Sequence, residues 1–159
     1  MILGKYFSPM GPLTIAVEGE FIVGLWFDDQ KYFGSKIKAG ACFGEHPLLN
    51  KAYEWLEVYF SGRRPEFMLP LYPAETDNLL RVRNAMLAIP YGEVVSYSEL
   101  AEKAGMPRAV RAVAGMVSRN PIILVVPCHR IIGKNGSLTG YAAGLDRKKM
   151  LLELEGQSS

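Results

Sequence analysis

Two residue types able to do nucleophilic chemistry stand side by side in Pro127-Cys128-His129-Arg130. The chain holds only two cysteines and two histidines, and one of each meets here. A thiol attacks as its thiolate, and an imidazole within reach is the usual group that takes its proton. The preceding run, Pro121-Ile-Ile-Leu-Val-Val126, is β-branched, apolar and short for a helix. That pattern predicts a buried strand ending at Pro127. A thiol at the end of such a strand needs the help its neighbour offers.

The elements that must hold this pair divide the chain in two. Residues 1–72 read as a small α/β unit. Leu13–Val17 and Phe21–Phe27 are strand-like runs around a turn at Glu18-Gly19-Glu20. An amphipathic helix is predicted from Pro47 to Phe60, its aromatics Trp55, Tyr59 and Phe60 on the core face, ended by Ser61-Gly62. Arg63–Glu75, punctuated by Pro65, Pro70 and Pro73, reads as an ordered linker. Residues 73–159 read as helical. Thr76-Asp77 can cap a helix reaching Ala88, and Ser96-Tyr-Ser-Glu99 matches a capping box for a helix over Tyr97–Lys103. Pro107 is placed to open the next helix, Pro107–Arg119. Two short helices joined through Ala104-Gly105-Met106 make a helix-turn-helix candidate.

The overall charge of +2 conceals a division. Residues 1–80 carry seven Lys/Arg against ten Asp/Glu, whereas residues 81–150 carry eleven against four. A basic half suggests a polyanionic partner, although a solvated basic face has the same composition. In Pro107–Arg119 the small residues Ala109, Ala112, Ala114 and Gly115 alternate with Arg108, Arg111 and Arg119. Small side chains let a backbone approach a groove, and arginines contact phosphates or enter it. The same alanines also suit tight packing against a neighbouring helix. No stretch approaches the length of a membrane span. Two distant cysteines without a signal-peptide pattern point to free thiols in the cytoplasm. Cys42 and His46 could share a helical face, but two ligands make no metal site, and neither metal nor cofactor is expected.

Taken in order, several stretches resemble the O6-alkylguanine-DNA alkyltransferases, also called methylated-DNA–protein-cysteine methyltransferases. They are Ile89-Pro-Tyr-Gly-Glu-Val-Val-Ser-Tyr-Ser-Glu-Leu-Ala101, Arg111-Ala-Val113, Asn120-Pro121, Pro127-Cys-His-Arg130, Gly140-Tyr141 and Leu151-Leu-Glu-Leu-Glu155. The opening Tyr6–Leu13 is also similar. The resemblance implies an α+β fold: a ribonuclease-H-like N-terminal sheet domain and a helical C-terminal domain with the helix-turn-helix. It implies that a monomer binds double-stranded DNA, extrudes O6-alkylguanine and moves the alkyl group irreversibly onto Cys128. It further implies that His129 takes the thiol proton through a water, and that Glu155, on the last helix, orients the imidazole. Tyr97 would donate to the departing base, and Arg111 would fill the gap left by the flipped nucleotide, whose extrusion costs a few kcal/mol. Arg108, Ala109 and Ala112 would line the DNA contact. Asn120 and Arg130 would brace the active-site turn. Tyr141, Ala142 and Ile131 would border the base pocket, within a wall over Ser137–Leu145, and Lys148 and Lys149 would contact backbone or pocket or lie solvated.

Some positions depart from the family pattern. Asn78-Leu79 and Val82-Arg83 stand where Phe-Gln and Val-Trp pairs are common, so Arg83 is expected to lie exposed and extend the basic face. Ala142-Ala143 stands where small serine or glycine residues are common, so a hydroxyl contact to the base is expected to be missing and the added methyl bulk to narrow the range of alkyl groups accepted. Three other readings compete. A non-catalytic lesion binder would lack the reactive cysteine. A cysteine hydrolase leaves the helix-turn-helix unexplained. A sequence-reading regulator would want polar side chains in place of alanine and valine on Pro107–Arg119.

Overall fold

A computed structural model of the chain describes residues 1–156; the last three residues of the expected 73–159 unit lie outside them. The first three strands, β1 (Ile2–Ser8), β2 (Gly11–Glu18) and β3 (Phe21–Phe27), form antiparallel hairpins, and β4 (Cys42–Phe43) joins β1 in parallel, giving the order β3-β2-β1-β4. The β2–β3 turn falls at Gly19, whose φ of +61° suits glycine. The sequence reading contained β2 and β3 but not β1, which is interrupted by Gly4 and Lys5. Gly4 is where helix α1 (Pro47–Phe60) crosses the sheet: a Cβ there would come within 2.2 Å of the Tyr53 hydroxyl oxygen.

Helix α1 has the expected bounds and buries Leu48, Leu49, Ala52, Trp55, Leu56 and Tyr59 against the sheet. Its N-cap is His46, whose Nδ1 accepts from the Leu48 N–H at 3.0 Å. Cys42 lies in β4, so the two do not share a helical face as the spacing had suggested. Helix α2 (Asp77–Leu87) starts at Thr76, whose hydroxyl accepts from Leu79 N, and α3 (Tyr97–Lys103) carries both halves of the Ser96/Glu99 capping box. Helix α4 (Val110–Ser118) begins three residues later than expected. Pro107 occupies a turn closed by the Ala109 N–H on the Met106 carbonyl, a position proline favours. A short parallel pair, β5 (Val95–Ser96) with β6 (Ile131–Ile132), and helix α5 (Leu145–Leu154) complete the chain.

One continuous core runs through both halves, from Leu13, Ile15 and Phe27 in the sheet to Leu100, Val113 and Leu151 in the helices. No described helix is long and apolar enough to cross a membrane.

Candidate active site

The run Pro121–Val126 is buried but is not a strand. It touches β3 at one point, with Leu25 N–H on the Pro121 carbonyl and Ile123 N–H on the Leu25 carbonyl, and then coils. Val125 N–H bonds the Ile123 carbonyl at 2.7 Å around Leu124, whose φ is +68°, and Cys128 N–H bonds the Val126 carbonyl at 2.8 Å around Pro127. The turn at Leu124 is the rare, strained kind, with a left-handed non-glycine residue at its centre, whereas Pro127, at φ −80° and ψ +65°, takes the common unstrained form. Asn120 holds them: its Nδ2 donates to the Val126 carbonyl at 2.9 Å and the Ile122 carbonyl at 3.3 Å, and its Oδ1 accepts from Ile122 N–H at 3.1 Å. Cys128, His129 and Arg130 then form one turn of 3₁₀ helix, all three buried. Asn120, expected to brace the turn, makes these three hydrogen bonds to the backbone of residues 122 and 126.

Glu155 sits one residue beyond the end of α5 rather than within it, because Gly156 takes φ +93° and closes the helix. From there its carboxylate enters the site and is wholly buried. Oε1 accepts from Arg130 Nε at 2.7 Å and Gly92 N–H at 3.2 Å. Oε2 accepts from His129 Nε2 at 2.6 Å, the Tyr59 hydroxyl at 2.6 Å and Arg130 Nη2 at 3.2 Å. Burial works to raise its pKa, but the donors His129 and Arg130 outweigh it and hold the group at about 2. An ionised Glu155 can only accept, so the His129 proton sits on Nε2 and Nδ1 keeps its lone pair. Nδ1 is buried with no partner among the described residues. Burial pushes His129 below the ordinary imidazole value, more than the hydrogen bond and charge of Glu155 restore, so the ring is neutral at pH 7.

Burial also pushes the Cys128 thiol up to about 11, with Asn120 and the charge of Lys148 offsetting part of the rise. Lys148, left open as pocket contact or solvated residue, is wholly buried, and burial lowers it to about 8. Its Nζ donates to the Thr139 carbonyl at 2.7 Å, tying down the Ser137–Leu145 segment. Within that segment the Tyr141 hydroxyl is buried without a partner among the described residues, and the Ala142 carbonyl accepts from Lys31 N–H at 2.9 Å. Lys149 is exposed. Ile131 is wholly buried in the core, paired with Val95 in the β5–β6 ladder. Tyr97, first residue of α3, is half-buried and its ring packs on the core.

Arg108, Arg111, Ala112 and Arg119 are exposed along α4 and the turn before it, with Ala109 half-buried, while Val113 and Val117 anchor the opposite face. Arg83 does not extend this basic surface. It is half-buried at the wall of a cavity of about 710 Å³, and its Nη1 donates to the Tyr72 carbonyl at 2.6 Å. Its long apolar stem lies along the cavity wall while the head is tied back to the chain.

Sequence reasoning passed over one residue of this cluster. Tyr59, assigned to the core, reaches from α1 to the Glu155 carboxylate and lies 3.3 Å from His129 Nε2. The available signal was a phenol on a helix face otherwise meant for full burial, since a buried hydroxyl needs a partner.

The sequence matches the family model described as "6-O-methylguanine DNA methyltransferase, ribonuclease-like domain" over residues 1–73, and "6-O-methylguanine DNA methyltransferase, DNA binding domain" over residues 78–157. The methylated-DNA–protein-cysteine methyltransferase of Mycobacterium leprae is 45% identical over 148 residues, covering 93% of this chain and 88% of that protein. The enzyme of the same name from Methanosarcina acetivorans is 43% identical, with 94% of each covered. Among solved structures, a Mycobacterium tuberculosis OGT in complex with DNA superposes with a TM-score of 0.86 at 40% identity, covering 98% of this chain and 92% of that one. On these grounds the chain belongs to the 6-O-methylguanine DNA methyltransferase family.

Proposed function

We propose that this protein repairs O6-alkylguanine in double-stranded DNA, and the related O4-alkylthymine, by taking the alkyl group onto Cys128 in a single irreversible turnover. The observation that carries the reading is the buried Cys128 thiol followed in the chain by His129, whose Nε2–H is committed to Glu155 and whose Nδ1 has no partner among the described residues. The thiol gives its proton to Nδ1 through a bridging water. Sulfur forms a bond to the alkyl carbon as the carbon–O6 bond breaks. The electron pair of that bond leaves with guanine, and the Tyr97 hydroxyl donates to it. Glu155 stabilises the imidazolium that results. The product is a thioether on Cys128 and a repaired base.

The exposed face bearing Arg108, Arg111 and Ala112, with Ala109 beside it, is the DNA contact, and Arg111 occupies the space of the extruded nucleotide. Tyr141 and Ala142 border the base pocket. The protein acts as a monomer in the cytoplasm, where a catalytic thiol stays reduced. The units 1–72 and 73–159 divide the work: the first supports, the second carries the thiol and the DNA surface. A non-catalytic lesion binder has no use for a buried thiol followed by a histidine tied to a carboxylate.

The deciding experiment is the intact mass of the protein after mixing with a duplex containing one O6-methylguanine. The expected result is one added methyl, mapped to Cys128 and absent in Cys128→Ser. Lesion-selective binding with no change in mass would overturn transfer in favour of damage sensing.

A further inference from the structure

We infer that Tyr59 is a positioning residue of the transfer reaction, its hydroxyl sharing Glu155 Oε2 with His129 and so keeping the imidazole available as a base. The inference rests on the alkyl-transfer reading, and it assigns a role to a residue far from the motifs that carry the thiol. A buried phenol is satisfied by any nearby carbonyl. Here it donates instead at 2.6 Å to the one carboxylate oxygen that already accepts from His129 Nε2, also at 2.6 Å. The ring is fixed for that purpose: it stacks on Trp55 at 5.4 Å and meets Phe60, Tyr91 and His129 edge-on. Its own ionisation lies well above the ordinary phenol range, because burial and the Glu155 charge both oppose a phenolate, so it remains a donor.

A lone carboxylate oxygen facing an imidazole in a dry site would draw the ring toward the cationic form. Each further donor on that oxygen weakens the pull. The charged and titratable groups that act on His129 are Glu155, Arg130, Lys148 from α5 and the phenol of Tyr59, with Cys128 its neighbour in the chain; Tyr91 lies against Tyr59 and Arg130, and Tyr141 interacts with Cys128 and Glu155. Of these only Arg130 Nη2 and Tyr59 donate to Oε2 alongside the histidine. Removing the Tyr59 hydroxyl therefore strengthens the Nε2–H···Oε2 bond and favours the imidazolium, which cannot accept the thiol proton.

The test compares wild type, Tyr59→Phe and a protein with 3-fluorotyrosine placed at position 59. In substrate-free protein, the His129 Nε2–H proton resonance should move downfield in Tyr59→Phe and upfield with fluorotyrosine, the stronger donor. In single-turnover transfer from an O6-methylguanine duplex, the acid-side loss of rate should begin about half a pH unit or more higher in Tyr59→Phe, with the alkaline plateau kept within about threefold. An unmoved resonance in all three proteins, or a rate profile scaled uniformly at every pH, would reduce Tyr59 to a packing residue. Should Tyr59→Phe fail to fold, the fluorotyrosine protein, which keeps the ring's shape, decides by the same resonance. Absence of transfer in wild type would sink the proposed function, while the substrate-free resonance would still answer for Tyr59.

Discussion

Arg130 grips Glu155 with two nitrogens, Nε on Oε1 at 2.7 Å and Nη2 on Oε2 at 3.2 Å, while its Nη1 donates to the Ile89 carbonyl at 2.8 Å. A lysine cannot reproduce that fork. Arg130→Lys leaves a buried carboxylate short of donors and an orphaned carbonyl, which costs about 3–5 kcal/mol of stability. Urea denaturation measures it, and the transfer rate should fall with it because Glu155 no longer sits where His129 needs it.

Glu155 also sets an acid limit. Its folded-state pKa of about 2 lies below its ordinary value of 4.5, so its contribution is complete above the unfolded value and is lost as pH falls toward 2. Thermal melts of the wild type should drop through this window. Glu155→Gln should melt lower at pH 7 but show a flatter slope between pH 5 and 2.

Resting Cys128 should be unreactive toward small electrophiles. With the thiol pushed up to about 11, roughly one molecule in 10⁴ carries the thiolate at pH 7. Iodoacetamide without DNA should therefore label the exposed Cys42 first. Labelling of Cys128 should rise about tenfold per pH unit above neutrality. Peptide mapping over a pH series gives the answer, and equal labelling of both cysteines at pH 7 would contradict a protonated resting thiol.

The face of α4 can be separated from its core side. Ala112 is exposed, so Ala112→Leu should change stability by no more than about 0.5 kcal/mol while adding bulk where the helix is to approach DNA. Duplex binding by fluorescence anisotropy should weaken about tenfold or more. Arg111→Ala should act differently, slowing transfer at saturating duplex more than it weakens binding, since its assigned task is to hold the extruded state.

What the sequence disclosed was what local chemistry dictates. The Ser96/Glu99 capping box, the bounds of α3 and the apolar face of α1 depend on neighbours three or four residues away, and all are read directly. The coil before Cys128 escaped the same reading because its composition is that of a strand. Its path is imposed by Asn120 and by a left-handed Leu124, neither visible in hydrophobic pattern. Glu155 was assigned to a helix that Gly156 ends one residue too soon. Tyr59 was hidden for the opposite reason: its ring obeys the helical period perfectly, and only its hydroxyl departs from core behaviour.

The contact of Leu25 with the Pro121–Ile123 segment bears on how the molecule comes apart. The two regions recognised by separate family models meet there by backbone hydrogen bonds, and again where Tyr59 reaches Glu155. The boundary between the two models is therefore not a boundary of cooperativity. Melting the sheet removes the support of the turn that presents the thiol, so calorimetry should record one transition with equal calorimetric and van't Hoff enthalpies. A protein built from two modules loses its chemistry and its first strand in the same event.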